Sequence, residues 1–172
     1  MPLYMRIEGL DPEGVGDTED IGGRSGWFAI GEMSKAVSRD ISVSVGSAAN
    51  SDSGQTFMSP ISVSRNADGA TPYLMTYLHK PGPEGFTVNI VSTKPDREGD
   101  GQVVTCLWTL THSRISSHSL HMTEAGATES ITFVYTMDRY EDWYENEKGE
   151  IVRGQTVEFD LSKAKLTSAA KS

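Results

Sequence analysis

Ile61-Ser62-Val63-Ser64-Arg65-Asn66-Ala67-Asp68-Gly69-Ala70-Thr71-Pro72-Tyr73-Leu74 changes its period partway along. Ile61 and Val63 alternate with Ser62 and Ser64, the period of two of a strand with one face on a core. Asp68-Gly69 then makes a turn. Thr71 reads as an N-cap and Pro72 as the first helical residue. Leu74, Met75 and Leu78 form an apolar stripe at helical spacing. His79 and Lys80 suit a helix C-terminus, and Pro81-Gly82-Pro83 stops the helix. This short helix is predicted to plug one end of a β structure.

Working outward, period-two alternation dominates. Leu3, Met5 and Ile7 alternate with Tyr4, Arg6 and Glu8. Ile41, Val43 and Val45 share one parity, as do Phe86, Val88 and Ile90. So do Val104, Cys106, Trp108 and Leu110, and then Ile131, Phe133, Tyr135 and Met137. Many short strands separated by turn residues predict a mainly β fold, an antiparallel β-barrel or two-sheet sandwich with one short α-helix. Asp11 to Gly26 reads as an acidic, glycine-rich loop. Gly46 to Gly54 reads as a polar loop with almost nothing to bury. The polar tail from about 162 to 172 reads as frayed. With 172 residues, no internal repeat and no composition break, a single domain over 1–172 is expected.

Composition removes several functions. The net charge of −9 disfavours binding to nucleic acid or to anionic membranes. No run approaches the ~20 apolar residues that cross a bilayer. Met1 to Glu8 has no basic segment followed by an apolar stretch, so no secretory signal peptide is expected. The lone Cys106 excludes an internal disulfide and reads as a small hydrophobe in an apolar run.

Catalytic and ligand signatures are missing. Gly14 and Gly16 begin a dinucleotide-like pattern, but Glu19 stands at its third glycine. Asp96 to Gly101 resembles the start of a calcium loop, yet Leu107 stands where the closing acid belongs, so a hairpin turn is expected. His118 and His121 point to opposite faces of a strand, and with His112 they read as surface histidines. Asp138, Glu141, Asp142, Glu145 and Glu147 crowd one stretch beside aromatics, which reads as a charged rim rather than a glycosidase pair. No cofactor, metal or catalytic residue is expected.

The segment from Ile61 to Leu74, with its Asp-Gly-Ala-Thr-Pro core, resembles the strand, turn and helix start of the Hcp family, tube subunits of the type VI secretion system. Leu3 to Leu10 resembles that family's opening. Leu107 to Leu120, Glu129 to Tyr135 and Val157 to Leu161 resemble its later strands, in order. The resemblance covers nearly the whole chain. It implies a non-enzymatic homohexameric ring, with rings stacked into a tube that carries small effectors. The spike protein VgrG and the contractile sheath are the further partners it implies. It also implies residence in the bacterial cytoplasm until firing, then export without a signal peptide. The polar loop, with Ser47, Asn50, Ser51, Asp52 and Ser53, is the expected inter-ring contact. A soluble β-sandwich that binds a small ligand or carbohydrate would show similar strands, and a small hydrolase would need one convergent acid pair. Native mass separates a ring from a monomeric module.

Overall fold

The computed structural model describes residues 1–10, 18–43, 45–46, 50–163 and 165–167. Among these the chain forms thirteen strands and one helix. In order they are β1 (Leu3–Ile7), β2 (Thr18–Ile21), β3 (Arg24–Ile30), β4 (Glu32–Ser34), β5 (Val37–Val43), β6 (Asn50–Met58), β7 (Ile61–Asn66) and α1 (Thr71–His79). Then come β8 (Phe86–Pro95), β9 (Gln102–Thr123), β10 (Gly126–Val134), β11 (Met137–Glu145), β12 (Ile151–Asp160) and β13 (Lys165–Leu166).

The strands close on themselves. β1 pairs β3 and β8, β8 pairs β9, β9 pairs β10, and β10 pairs β7. β7 returns to β4, which continues β3 after Gly31. All these pairings are antiparallel, so the expected barrel is the observed one. β9 uses its first half, to Ser113, against β8 and its second half, from Arg114, against β10. It turns between the two at His112, whose φ is +52°. β11, β12 and β13 extend the sheet beyond the barrel, and β5 with β6 forms a separate two-stranded sheet.

The barrel is filled by alternate residues. Met5, Ile7, Phe28, Ile61, Val63, Val88, Ile90, Leu110, Ile131 and Phe133 are buried in one cluster. Because successive strand residues face opposite ways, Tyr4, Ile21, Trp27 and Val91 form a second, smaller cluster on the outer face of the sheet. The helix closes the barrel with Leu74, fully buried, and with Tyr77 and Leu78 against the same core.

Several expectations need correction. The helix begins at Thr71 rather than after it; Ala70 is the N-cap, with no side-chain cap bond. Thr71 instead turns inward, for a reason given below. Met75 is exposed, so the buried stripe is Leu74, Tyr77 and Leu78. Of the loop expected over Asp11 to Gly26, residues 11–17 lie outside the described residues, but β2 and the start of β3 are strand. Gly22 and Gly23 both have positive φ and sit between paired Ile21 and Arg24, the two-residue turn that matches strand twist. Of the polar loop over Gly46 to Gly54, residues 50–54 belong to β6. Val43, Ser42 and Ile41 pair with Asn50, Ser51 and Asp52, so backbone hydrogen bonding makes a strand where side chains offer no hydrophobic reason. The strand expected to run from Ile131 to Met137 breaks after Val134, and Met137 starts β11. Within the tail expected to fray, Lys165 and Leu166 pair with Asp160 and Phe159.

Candidate functional site

Among the described residues no group of His, Cys, Asp and Glu is placed to hold a metal ion. Nor is any helix long and apolar enough to cross a membrane. Asp96 to Gly101 is the hairpin turn between β8 and β9, closed by Asp96 N–H donating to Gly101 C=O at 3.0 Å. His118 and His121 diverge as the strand period requires, and His121 is exposed. His118 is not a surface residue, however.

His118 belongs to a buried polar network under the start of α1. Its Nε2 lies 2.7 Å from Oε2 of Glu129, whose side chain is fully buried. The other carboxylate oxygen, Oε1, accepts from Arg65 and, at 3.1 Å, from Thr71 Oγ1. Arg65 also meets Asp68 at 2.6 Å and stacks on the Phe28 ring, 4.8 Å from its centroid. Asp68 Oδ1 accepts from Ala70 N–H and its own N–H donates to Thr71 Oγ1. Register explains the convergence: Glu129 sits directly opposite Arg65 on β7, and His118 lies two residues from Leu120, the β9 partner of Glu129. One carboxylate thus ties three strands to the helix. The Asp-Gly-Ala-Thr-Pro stretch is a structural knot, not a reaction centre.

A second polar residue is held in aromatic surroundings. Lys35 Nζ lies 4.1 Å from the Trp108 ring centroid and pairs with Asp138 of β11. Asp138 is buried, so β11 is a full strand with an inward acid, not only a charged rim. Trp108 stacks on Tyr140 at 4.5 Å. These residues floor a groove of about 490 Å³, also lined by Val37, Met58, Val157 and Leu166. Burial pushes Lys35 down to about 8, below its unfolded value of 10.5. The unfolded chain therefore binds the extra proton between pH 8 and 10.5, and this group's contribution to stability rises with pH through that window. Burial pushes the nearby Tyr135 up to about 12, so above pH 10 the tyrosine works in the opposite direction. Denaturant titrations at pH 8 and pH 10 should show a smaller gain, or a larger loss, of stability with pH in Lys35→Met than in the unaltered chain. An identical pH profile in both would refute it.

Two further acids of this stretch are held in ion pairs. Glu141 pairs with Arg139 and Arg153, and Glu145 with Lys94 and Arg97. Cys106 is half-buried, and burial pushes its thiol pKa up, away from thiolate chemistry. Of the expected contact residues, Ser47 lies outside the described residues. Asn50, Ser51, Asp52 and Ser53 are brought together on β6, in a hairpin that, among the described residues, pairs with no other strand. Sequence reasoning missed Lys35, whose apolar surroundings come from β9 and β11. It also missed the role of Glu129, whose in-strand position facing Ile131 and Phe133 parity was the available signal.

What the arrangement offers is edges and faces. No strand covers the outer edge of β9 beyond Ser113 or of β12 before Glu158, among the described residues. A family model described as type VI secretion system effector, Hcp, matches residues 4–141. A structure of a type six secretion system protein superposes with a TM-score of 0.79 at 16% identity, covering 96% of this chain and 99% of the other. Hcp1 from Salmonella typhimurium gives 0.69 at 14% identity, over 96% and 97%. Hcp3 from Pseudomonas aeruginosa gives 0.58 at 18% identity, over 89% and 98%. A comparison with curated protein sequences found no match.

Proposed function

The chain belongs to the Hcp family of the type VI secretion system, and from that premise we propose that it assembles as a homohexameric ring that stacks into the machine's inner tube, with small effectors in the lumen. The family is structural and secreted, not enzymatic. The chain acts as one domain. It waits in the bacterial cytoplasm and leaves with the tube, which meets VgrG at its tip and the contractile sheath around it. It inserts in no membrane and binds no nucleic acid. The carrying observation is a barrel closed by its own pairings that, among the described residues, still presents unpaired strand edges on β9 beyond Ser113 and on β12 before Glu158. Unpaired edges must be covered or joined to another chain, and a closed ring joins every one of them without leaving a free end.

Electron microscopy and native mass of the purified protein test this. Six-copy rings are expected; a lone protomer at every concentration would sink the reading and favour a monomeric binding module using the groove beside Trp108.

The β5–β6 hairpin supports the stacking part of the reading. An isolated two-stranded hairpin is marginal in water, so a contact that orders it is worth more than its area suggests. Ser47, Asn50, Ser51, Asp52 and Ser53 are the proposed inter-ring residues. Deleting residues 47–54 should abolish stacked tubes, seen by negative stain, while single rings persist. Tubes of unchanged length would count against it.

A further inference from the structure

We infer that Lys35 and Asp138 condense with one another, joining Lys35 Nζ to Asp138 Cγ as a side-chain amide that fastens the neck of the β5–β6 hairpin to β11. The inference does not depend on how copies of the chain assemble.

Seclusion is the first observation. Lys35 Nζ is in direct contact with Oδ2 of Asp138, and the two side chains are 8% and 7% exposed. Among the described residues the other lysine–carboxylate pairs face water: Lys94 with Glu145 is 35% exposed, and Lys163 with Asp160 is 72% exposed. Around the secluded pair stand aromatic rings. The Trp108 centroid of β9 lies 4.1 Å from Nζ, and that of Tyr135, between β10 and β11, lies 5.8 Å away. Tyr140 of β11 stacks on Trp108. Arg39 of β5 is the other charged group of the groove, whose β12 wall, Val157 and Phe159, carries no charge. Among the described residues neither member of the pair has a second ion partner.

The second observation is the chemistry of such a pair. Two opposite charges are costly in apolar surroundings. Moving one proton from the ammonium to the carboxylate leaves a neutral amine beside a neutral carboxyl. Burial pushes Lys35 down to about 8, so at pH 7 about a tenth of it is free amine. A desolvated lysine amine is a nucleophile. Its lone pair attacks Cγ, the carboxyl hydroxyl leaves, and one amine hydrogen departs with it as water. One C–N bond forms, one C–O bond breaks, and nothing is oxidised or reduced. Arg65 and Glu129, also deeply buried, cannot follow this course, because a guanidinium keeps its proton.

The third is positioning. Ala36, next to Lys35, is tied twice to Ser59: Ser59 N–H donates to Ala36 C=O at 3.0 Å, and Ala36 N–H donates to Ser59 Oγ at 2.9 Å. Tyr135 O–H donates to Ser59 C=O at 3.2 Å, which fixes this neck to the barrel. Asp138 is held in register between Leu110 of β9 and Phe159 of β12. Groups held in this way react as though at roughly 10⁵ M or more. The same seclusion keeps water from hydrolysing the amide.

The intact mass of the purified full chain, measured under denaturing conditions, tests the bond. After incubation at pH 8 the unaltered chain should be lighter than its sequence by one water, about 18 Da. Lys35→Arg and Asp138→Ala should each keep their full sequence mass. Trypsin should fail to cut after Lys35 and should release Ser25–Arg39 joined to Ile115–Arg139. A bonded chain has no ammonium at position 35, so it should also lack the pH dependence of stability that Lys35 gives the unbonded chain. An unaltered chain that stays at full mass overturns the inference. So does a lost water that maps to a succinimide at Asp68-Gly69 or Asp100-Gly101 in place of the linked peptide. Either result leaves the ring reading standing, because particle shape and native mass decide that separately.

Discussion

Glu129→Leu should lower the free energy of unfolding by about 3 to 4 kcal/mol, the range found when one partner of a buried ion pair is removed. The carboxylate has no exposed surface and serves three donors: Arg65, Thr71 and His118. Leucine supplies apolar volume of similar size, so cavity formation is not the main cost. The cost is the guanidinium of Arg65, 2% exposed, left in the core with its principal anion gone. Asp68 at 2.6 Å and the Phe28 ring retain part of its stabilisation, which holds the effect below the upper end of the range. Guanidinium titrations with an unchanged m-value would measure it. A triple variant, Glu129→Leu, Arg65→Leu and His118→Leu, removes the three buried polar side chains together, leaves only the part-exposed Asp68, and should recover at least half of the loss, since apolar replacement of a buried network is often neutral. A single variant costing under about 1 kcal/mol, or a triple variant at the sum of its parts, would show that the network does not tie the strands to the helix.

The same network marks the limit of what the sequence disclosed. The strand around Ile61, the turn at Asp68 and the helix through Leu74 were all legible because period and turn chemistry are local. Glu129 and Arg65 lie 64 residues apart, and nothing in either neighbourhood says that they meet. Thr71 looked like a cap because a threonine before Pro usually is one; its hydroxyl was claimed by a carboxylate from another strand. The β2–β3 hairpin was hidden for the opposite reason. Its turn, Gly22-Gly23, has the composition of a loop, although Trp27 and Phe28 beyond it are both buried. The start of β6 is not legible, because Asn50, Ser51 and Asp52 carry no apolar alternation and are in strand by pairing with Val43, Ser42 and Ile41. The edges proposed for assembly are equally invisible in sequence: an edge is defined by which strand is missing beside it.

Gly85→Ala should destabilise the fold by about 2 to 5 kcal/mol and disturb assembly as well. Two costs combine. Gly85 has φ +74°, where a side chain costs roughly 1–2 kcal/mol. A Cβ there would also lie 2.5 Å from Ser113 C=O and 3.1 Å from the His112 carbonyl carbon, both backbone, so β9 itself must move; overpacking of that kind costs roughly another 1–3 kcal/mol. Gly99→Ala is the control, because its φ is +82° and no atom lies within 4 Å of the added methyl. Gly85→Ala should exceed it by at least about 1 kcal/mol in matched titrations, and equal losses would mean that the close approach is unimportant. The position matters because it clamps the bend of β9. His112 Nδ1 lies 2.9 Å from Glu84 C=O, and Arg114 donates to Pro83 C=O at 2.7 Å, on either side of the buried Ser113. That bend sets the direction in which the β9–β10 ribbon leaves the barrel. A backbone shift there would tilt the ribbon against the rest of the barrel. Gly85→Ala should therefore lower the fraction of six-copy particles at a denaturant-free concentration where the monomer remains folded, whereas Gly99→Ala should leave that fraction unchanged.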